Sequence, residues 1–336
     1  MRVLVTGSAG FIGFHLSQRL LAAGHEVTGL DGLSPYYSVA LKEQRHAMLS
    51  QYPAFRPLIG QLQDRSSVEA AFADRPKIVF HLGAQAGVRY SIDQPQSYVD
   101  ANLVGTANIL EAVRAQPPQH LLLASSSSVY GMTDGSPSRE TDATDRPVSF
   151  YAATKKANEA MSHSYARLYD LPTTCLRFFT VYGPWGRPDM ALFKFASAIL
   201  SGAPIDIYGE GRMRRDFTYV ADVVDALMAL MSKPPETGLK VHPDDSVSPT
   251  APWRVVNIAG GRPVELMRFV AAIEAAAGRK ANANFLPMQP GDVTDTSASV
   301  ELLRALTGAL PQTEVEDGVT RFIEWYRAWS AGGGAH

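Results

Sequence analysis

Arg2-Val3-Leu4-Val5-Thr6-Gly7-Ser8-Ala9-Gly10-Phe11-Ile12-Gly13 decides how this chain folds. Val3 to Thr6 reads as a buried strand, and apolar residues at helical spacing resume from Phe11 to Ala23. Between them three glycines stand in a G-x-x-G-x-x-G pattern, in the strand–turn–helix setting that a dinucleotide-binding loop requires. Glycine permits the tight turn and the close approach of a pyrophosphate, while the first helical N–H groups offer a partial positive charge. Gly7, Gly10, Phe11, Ile12 and Gly13 are therefore expected to hold a dinucleotide. Asp31 closes the next strand, Glu26 to Leu30, where an acid accepts hydrogen bonds from the adenosine ribose. No arginine follows it directly, which favours NAD over NADP; the alternative reading of Asp31 is a turn residue before Gly32.

Alternation of apolar runs and helical patterns continues outward from this stretch. A short strand near Leu58, a strand from Lys77 to Leu82, a helix from Tyr98 to Val113 and a strand from Leu121 to Ala124 follow. A helix beginning near Phe150 leads to a strand from Thr173 to Phe179. This order is the pattern of an α/β fold with a Rossmann-type, doubly wound parallel sheet. The character then changes, with Pro, Gly and Arg frequent: Val181 to Asp189 reads as a loop, followed by a helix through Phe195 and a short strand, Ile205 to Tyr208. Val255 to Ile258 reads as one more buried strand, so the chain is expected to return to the sheet. The expected organisation is an NAD-binding domain over residues 1–180, rejoined by about 216–232 and 254–260. A smaller, discontinuous substrate domain then takes 181–215 and 261–330, with Pro234 to Pro252 as a surface excursion.

Composition narrows the class. The chain has 336 residues, 46% of them hydrophobic, enough to bury a large core. A formal charge of -2 without long basic runs argues against nucleic acid as a partner. No apolar stretch approaches the ~20 residues that span a bilayer. Met1 runs directly into a strand without a leader pattern, so a cytoplasmic enzyme is expected. Cys175 is the one cysteine, which excludes an internal disulfide and a cysteine metal cage. The eight histidines show no ligand spacing, and His81 reads as a core residue, so no metal is expected.

Chemistry is suggested by Ser149-Phe150-Tyr151-Ala152-Ala153-Thr154-Lys155-Lys156. Tyr151 and Lys155, four apart on a helix, share one face. A lysine cation a turn away, with the positive ring of a bound cofactor, favours the phenolate of a tyrosine whose ordinary pKa is about 10. Ala124-Ser125-Ser126-Ser127-Ser128-Val129-Tyr130-Gly131 ends the fifth strand at its carboxyl edge, where such sheets bind ligands. Ser126 thereby joins Tyr151 and Lys155 as a catalytic candidate, although serines after a strand also make turns.

On these motifs the sequence resembles the extended short-chain dehydrogenase/reductase family and, within it, the nucleotide-sugar epimerases. Ala84-Gln85-Ala86-Gly87-Val88-Arg89-Tyr90-Ser91, Leu176 to Met190 and Met288-Gln289-Pro290-Gly291-Asp292 are similar to blocks of UDP-glucuronate 4-epimerases. The resemblance implies that Tyr151 takes the proton of the sugar's 4-hydroxyl while hydride leaves carbon 4, giving a 4-keto intermediate that turns over and is reduced on its other face. It gives Lys155 the nicotinamide ribose and Ser126 the substrate hydroxyl, and it adds Gln61, Leu62, Leu82, Gln85 and Phe178 to the cofactor contacts. Ser127, Ser128 and Thr180 would restrain the sugar carboxylate, and Arg187 would anchor it or the adjoining diphosphate; for Thr180 and Arg187 a purely structural loop role stands beside this. Arg215 matches the family's diphosphate-binding arginine and Arg89 is a second candidate, unless either pairs with a nearby acid. Phe193, Lys194, Ile207 and Tyr208 resemble the uracil and ribose contacts, with core packing as the alternative, and Asp292 completes the substrate set.

Departures from relatives discriminate among activities. Dehydrating members carry an Asp-Glu pair beside the catalytic Ser or Thr, and decarboxylating members a glutamate at the position of Ser128; both acids are missing here. Plain epimerisation is the expected reaction, ahead of a UDP-glucose or other UDP-hexose epimerase, a UDP-glucuronate decarboxylase and a non-catalytic NAD-binding sensor. Gln61 stands where many members have aspartate, and Gln289 where glucose-type epimerases often have arginine. By analogy the helices around Asn102 to Val113 and Ala152 to Leu168 form the interface of a homodimer.

Overall fold

The computed structural model describes residues 1–132, 135–288 and 295–333. Its strands in chain order are β1 (Arg2–Thr6), β2 (Glu26–Asp31), β3 (Phe55–Ile59), β4 (Ile78–His81), β5 (His120–Ser126), β6 (Thr173–Phe178) and β7 (Thr180–Tyr182). They continue as β8 (Pro204–Tyr208), β9 (Arg214–Tyr219), β10 (Trp253–Ile258), β11 (Pro263–Glu265), β12 (Asn282–Leu286) and β13 (Asp295–Thr296).

Seven strands form one parallel sheet in the order β10-β6-β5-β4-β1-β2-β3. Parallel strands buried on both faces carry apolar residues in near-continuous runs, and β4 and β5 are buried throughout. Side chains still alternate: Val3 and Val5 of β1 join one core with Phe14, Leu16 and Leu227, while Leu4 joins the opposite core with Val68, Ile109 and Leu110. Helices Phe11–Ala22 and Val220–Leu230 cover the first face. Strand order reverses between β1 and β4, so the crevice for a ligand lies at their carboxyl ends. The expected return to the sheet is present, with β10 paired to β6 from Trp253↔Thr173 to Ile258↔Phe178.

The smaller sheets hold the corrections. Val181 and Tyr182, expected in a loop, belong to β7, which pairs with β9 in parallel. Residues 216–219 are the inner part of β9, flanked by β11 and β13, and helix Val220–Leu230 then packs against helix Phe11–Ala22. Apolar side chains of the smaller sheets pack into a second core built on Phe217 and Phe269, whose rings stack 4.0 Å apart. The helix expected over Tyr98 to Val113 is interrupted by a wide π turn, Val99–Val104, before it continues as Gly105–Ala115. Among the described residues no helix is long and apolar enough to cross a membrane, and no group of three or more potential metal ligands occurs.

Candidate active site

After β1 the chain turns at Gly7, with φ of 74° and its N–H donated to the Leu30 carbonyl at 2.7 Å. A Cβ at Gly13 would lie 2.0 Å from the Gly7 oxygen, and one at Gly10 2.9 Å from the same atom, so the turn closes backbone on backbone. Helix Phe11–Ala22 starts at Gly10 without a side-chain cap, which leaves its first N–H groups for an anion. The buried Ser8 hydroxyl beside them has no partner. These features fit a dinucleotide diphosphate.

Asp31 takes the Ala9 N–H on Oδ2 at 2.9 Å and the Leu33 N–H on Oδ1 at 2.8 Å. The acid thus ties the glycine loop to the turn after β2, and each oxygen keeps a lone pair for a ribose hydroxyl. Gln61 donates to the Gly32 carbonyl at 3.0 Å, on the same side. Leu62 is buried against Gly83, and Leu82 follows β4 directly. Phe178 closes β6 opposite Ser126. Gln85 is held by Asn102: its N–H donates to Oδ1 at 2.8 Å and its carbonyl accepts from Nδ2 at 3.1 Å. Asn102 also donates to the Thr154 hydroxyl at 3.0 Å, so the π turn couples the loop after β4 to the residue preceding Lys155.

Ser149 caps the helix Phe150–Tyr169 by accepting the Ala152 N–H at 3.1 Å. This places Tyr151 in the first turn, where the Ser91 hydroxyl accepts its N–H at 3.2 Å. One turn on, Lys155 is buried and donates to the Ala124 carbonyl at 2.9 Å, two residues before Ser126. Helix and strand end are therefore joined at the reacting groups. Burial raises the Tyr151 pKa above its ordinary value, opposed by a hydrogen bond with Ser126 and by the Arg187 charge. Burial lowers Lys155 to about 8, with the Cys175 side chain acting the other way. In the protein's own structure the lowering of Tyr151 comes from Ser126 and Arg187 rather than from Lys155, and desolvation outweighs it.

Ser126 caps a 3₁₀ turn, Ser127–Tyr130; its hydroxyl accepts the Ser128 N–H at 3.2 Å and donates to the Ser128 hydroxyl at 3.1 Å. Ser127 and Ser128 remain half-buried beside it. Thr180 and Arg187 line one small cavity of about 30 Å³ with Phe11, Tyr182 and Phe322. Arg187 forks onto Asp189, Nε to Oδ1 at 3.0 Å and Nη2 to Oδ2 at 2.5 Å.

The remaining substrate candidates divide. Arg89, after β4, lies over the Tyr208 ring at 5.3 Å and so spans from the large sheet to β8. Arg215 on β9 donates to the Arg214 carbonyl at 2.9 Å, and Lys194 is exposed. Of the two readings for Phe193 and Ile207, core packing is visible here: Ile207 is fully buried, and the Phe193 ring packs in the second core, 5.3 Å from Tyr326, while Phe193 also lines the cavity with Thr180 and Arg187. Their apolar side chains face the core because alternation on β8 and helical spacing on Ala191–Ser201 turn them inward. Asp292 and Gln289 lie outside the described residues.

Three side chains at this site escaped sequence reading. Buried Arg45 donates to the Ala9 carbonyl at 2.8 Å, the Tyr37 hydroxyl at 2.9 Å, and the Trp185 and Gly186 carbonyls at 2.6 and 3.1 Å. His15 donates to the Pro184 carbonyl at 2.8 Å, and burial lowers its pKa to about 4. Tyr36 donates to Asp189 at 3.0 Å. Each reaches a partner more than 140 residues away, a relation without a local sequence signal.

Comparison with known proteins places this geometry. The model of the NAD dependent epimerase/dehydratase family matches residues 3–241. A probable UDP-glucuronate 4-epimerase of Rhizobium meliloti (strain 1021) is 56% identical over 330 residues, covering 97% of each chain. The crystal structure of UDP-glucuronic acid 4-epimerase from Bacillus cereus in complex with UDP-glucuronic acid and NAD superposes with a TM-score of 0.87 at 31% identity, covering 98% of this chain and 99% of that one. The UDP-glucose 4-epimerase of Thermus thermophilus in complex with NAD gives a TM-score of 0.83 at 31% identity, with 97% and 99% coverage.

Proposed function

This chain belongs to the NAD-dependent epimerase/dehydratase family, and from that premise we propose that it interconverts UDP-glucuronate and UDP-galacturonate by epimerisation at carbon 4. The observation that carries this reading is the meeting of Ser126, Tyr151 and Lys155 at the carboxyl end of β5, beside hydroxyls and no carboxylate at positions 127 and 128. NAD, cradled by Gly7, Gly10, Gly13 and Asp31, supplies when bound a reversible hydride acceptor and a positive ring.

The protein's own residues move the proton and hold the sugar. Tyr151 is protonated at neutral pH in its buried setting, so the added cation is what makes it a base in the forward step. Ser126 orients the shared hydrogen bond, and Lys155, anchored on Ala124, fixes the distance between helix and strand. The 4-ketone of a uronic acid is a β-keto acid that loses carbon dioxide when its carboxylate stands perpendicular to the carbonyl plane. Ser127, Ser128 and Thr180 restrain that carboxylate by charge-assisted hydrogen bonds. Arg89 and Arg215 take the diphosphate.

The division into an NAD-binding part, 1–180 with later returns, and a UDP-sugar part is proposed with the same reading. So is a cytoplasmic location, which the free, buried thiol of Cys175 supports. A homodimer is proposed through the helices at Gly105–Ala115 and Phe150–Tyr169, supported by exposed Val104, Phe150, Leu168 and Tyr169.

Proton NMR of products from UDP-glucuronate and, separately, UDP-glucose tests the function. UDP-galacturonate without UDP-xylose or a pentose ketone is expected. Conversion of UDP-glucose alone would make the protein a neutral-sugar epimerase, and a pentose product would refute the restraining role of the three hydroxyls.

A further inference from the structure

Arg187 and Asp189 form a closed fork at the edge of the sugar site, and Asp189 Oδ2 also accepts the Tyr36 hydroxyl at 3.0 Å. The Tyr36 ring lies 5.8 Å from the guanidinium, so the loop after β2 supports both members of the pair. The Arg187 guanidinium shares a cavity with Thr180, and its field extends to Tyr151.

The backbone of this loop is pinned independently of the pair. His15 holds the Pro184 carbonyl and Arg45 holds those of Trp185 and Gly186. The fork can open by side-chain rotation while the loop stays in place. Both side chains are mostly withdrawn from water, at 21% and 24% exposure, so the guanidinium gives up Asp189 only to another carboxylate that takes its place. One face of a guanidinium receives one carboxylate in bidentate geometry at a time.

We propose that Asp189 is an internal competitor for the substrate carboxylate: an acidic sugar exchanges its carboxylate for that of Asp189 on Arg187, with Tyr36 retaining the displaced side chain, while a neutral sugar leaves the fork closed. Asp189 and Tyr36 are then specificity-determining residues, and the exchange trades one carboxylate for another at small net cost. This inference rests on the reading of the substrate as a UDP-uronic acid.

The test is binding rather than turnover, so that the two readings fail separately. Affinities of UDP-glucuronate and UDP-glucose for the NAD-loaded native protein, Asp189→Asn and Tyr36→Phe are measured by calorimetry. With the competitor neutralised, Asp189→Asn should bind UDP-glucuronate about fivefold more tightly, the equivalent of about 1 kcal/mol, with UDP-glucose within about twofold of native. Tyr36→Phe, which loses the hydroxyl that retains the displaced Asp189, should shift the ratio the other way, toward weaker UDP-glucuronate binding, and by less. Equal changes for both ligands, or weaker UDP-glucuronate binding in Asp189→Asn, would overturn the proposal and make Asp189 a support for Arg187. Should Asp189→Asn fail to fold, the ratio in Tyr36→Phe decides. A native protein that turns over neither sugar would refute the proposed function and leave the affinity ratio to judge this inference.

Discussion

At the glycine-loop end of the site the shape is set by backbone packed on backbone, with no space for a methyl group at Gly13, whereas at the sugar end it is set by side chains that reach across the fold, Arg187 to Asp189 and Tyr36 to Asp189. The first arrangement can hold one shape only. The second can exchange partners without moving its loop. A reaction in which one ligand stays while another enters, turns and leaves is served by that difference: rigidity where the dinucleotide rests, and replaceable contacts where the sugar must rotate.

Tyr151 stands between the two ends, and its removal should have the largest effect. Tyr151→Phe should lower kcat by about 10³-fold while NAD content and melting temperature stay native, which absorbance and thermal scans check. Unchanged turnover would revive the reading of a non-catalytic NAD-binding protein. At the rigid end, Gly13→Ala forces a Cβ against the Gly7 carbonyl, and because backbone cannot yield, the variant should lose bound NAD and about 3 kcal/mol of stability in denaturant titration. Retained NAD there would break the comparison.

Arg45→Met probes the joint between the ends. Loss of its bonds to Ala9, Trp185 and Gly186 should destabilise by about 3 kcal/mol and raise KM for the sugar. A pure stability loss with native KM would mean that the loop does not depend on this anchor.

The smallest effect is expected away from the site, at Glu140. Burial raises its pKa to about 7, against the pull of the Asn257 N–H and the Arg177 charge. A carboxyl raised above its unfolded value is kept neutral by the fold, so its stabilising contribution is full below about 4.5 and is lost as pH rises through about 7. Glu140→Gln, which can still accept from Asn257, should therefore be more stable than native by about 1–2 kcal/mol at pH 8 and nearly equal at pH 5, read from melts at the two pH values. A difference that does not vary with pH would contradict the assignment.

Legibility in sequence followed the same division. The glycine turn, Asp31 and the strand series were readable because each depends on neighbours within a few residues, and β10 announced its return by an apolar run, Val255 to Ile258. Ser126, Tyr151 and Lys155 were readable because a strand end and a four-residue helical spacing place them. Arg45, His15 and Tyr36 were not, since their partners lie across the fold and nothing local distinguishes them from surface residues. The π turn at Val99–Val104 was hidden for a related reason: its apolar spacing matches an ordinary helix, and only the bonds of Asn102 to Gln85 and Thr154 show what it does. Phe193 and Ile207 show why two readings stood side by side in sequence: an apolar residue on a strand or helix carries the same local signal whether it packs in a core, as these do, or also touches a ligand.

The most direct test of the account is the fate of the hydrogen on carbon 4. UDP-glucuronate carrying deuterium at that carbon, incubated in ordinary water with the purified protein, should give UDP-galacturonate that retains the deuterium at carbon 4, because the hydride is held and returned while Tyr151 handles only the hydroxyl proton. Deuterium lost to solvent, or product labelled at another carbon, would contradict a 4-keto mechanism and with it the role of the Ser126, Tyr151 and Lys155 site.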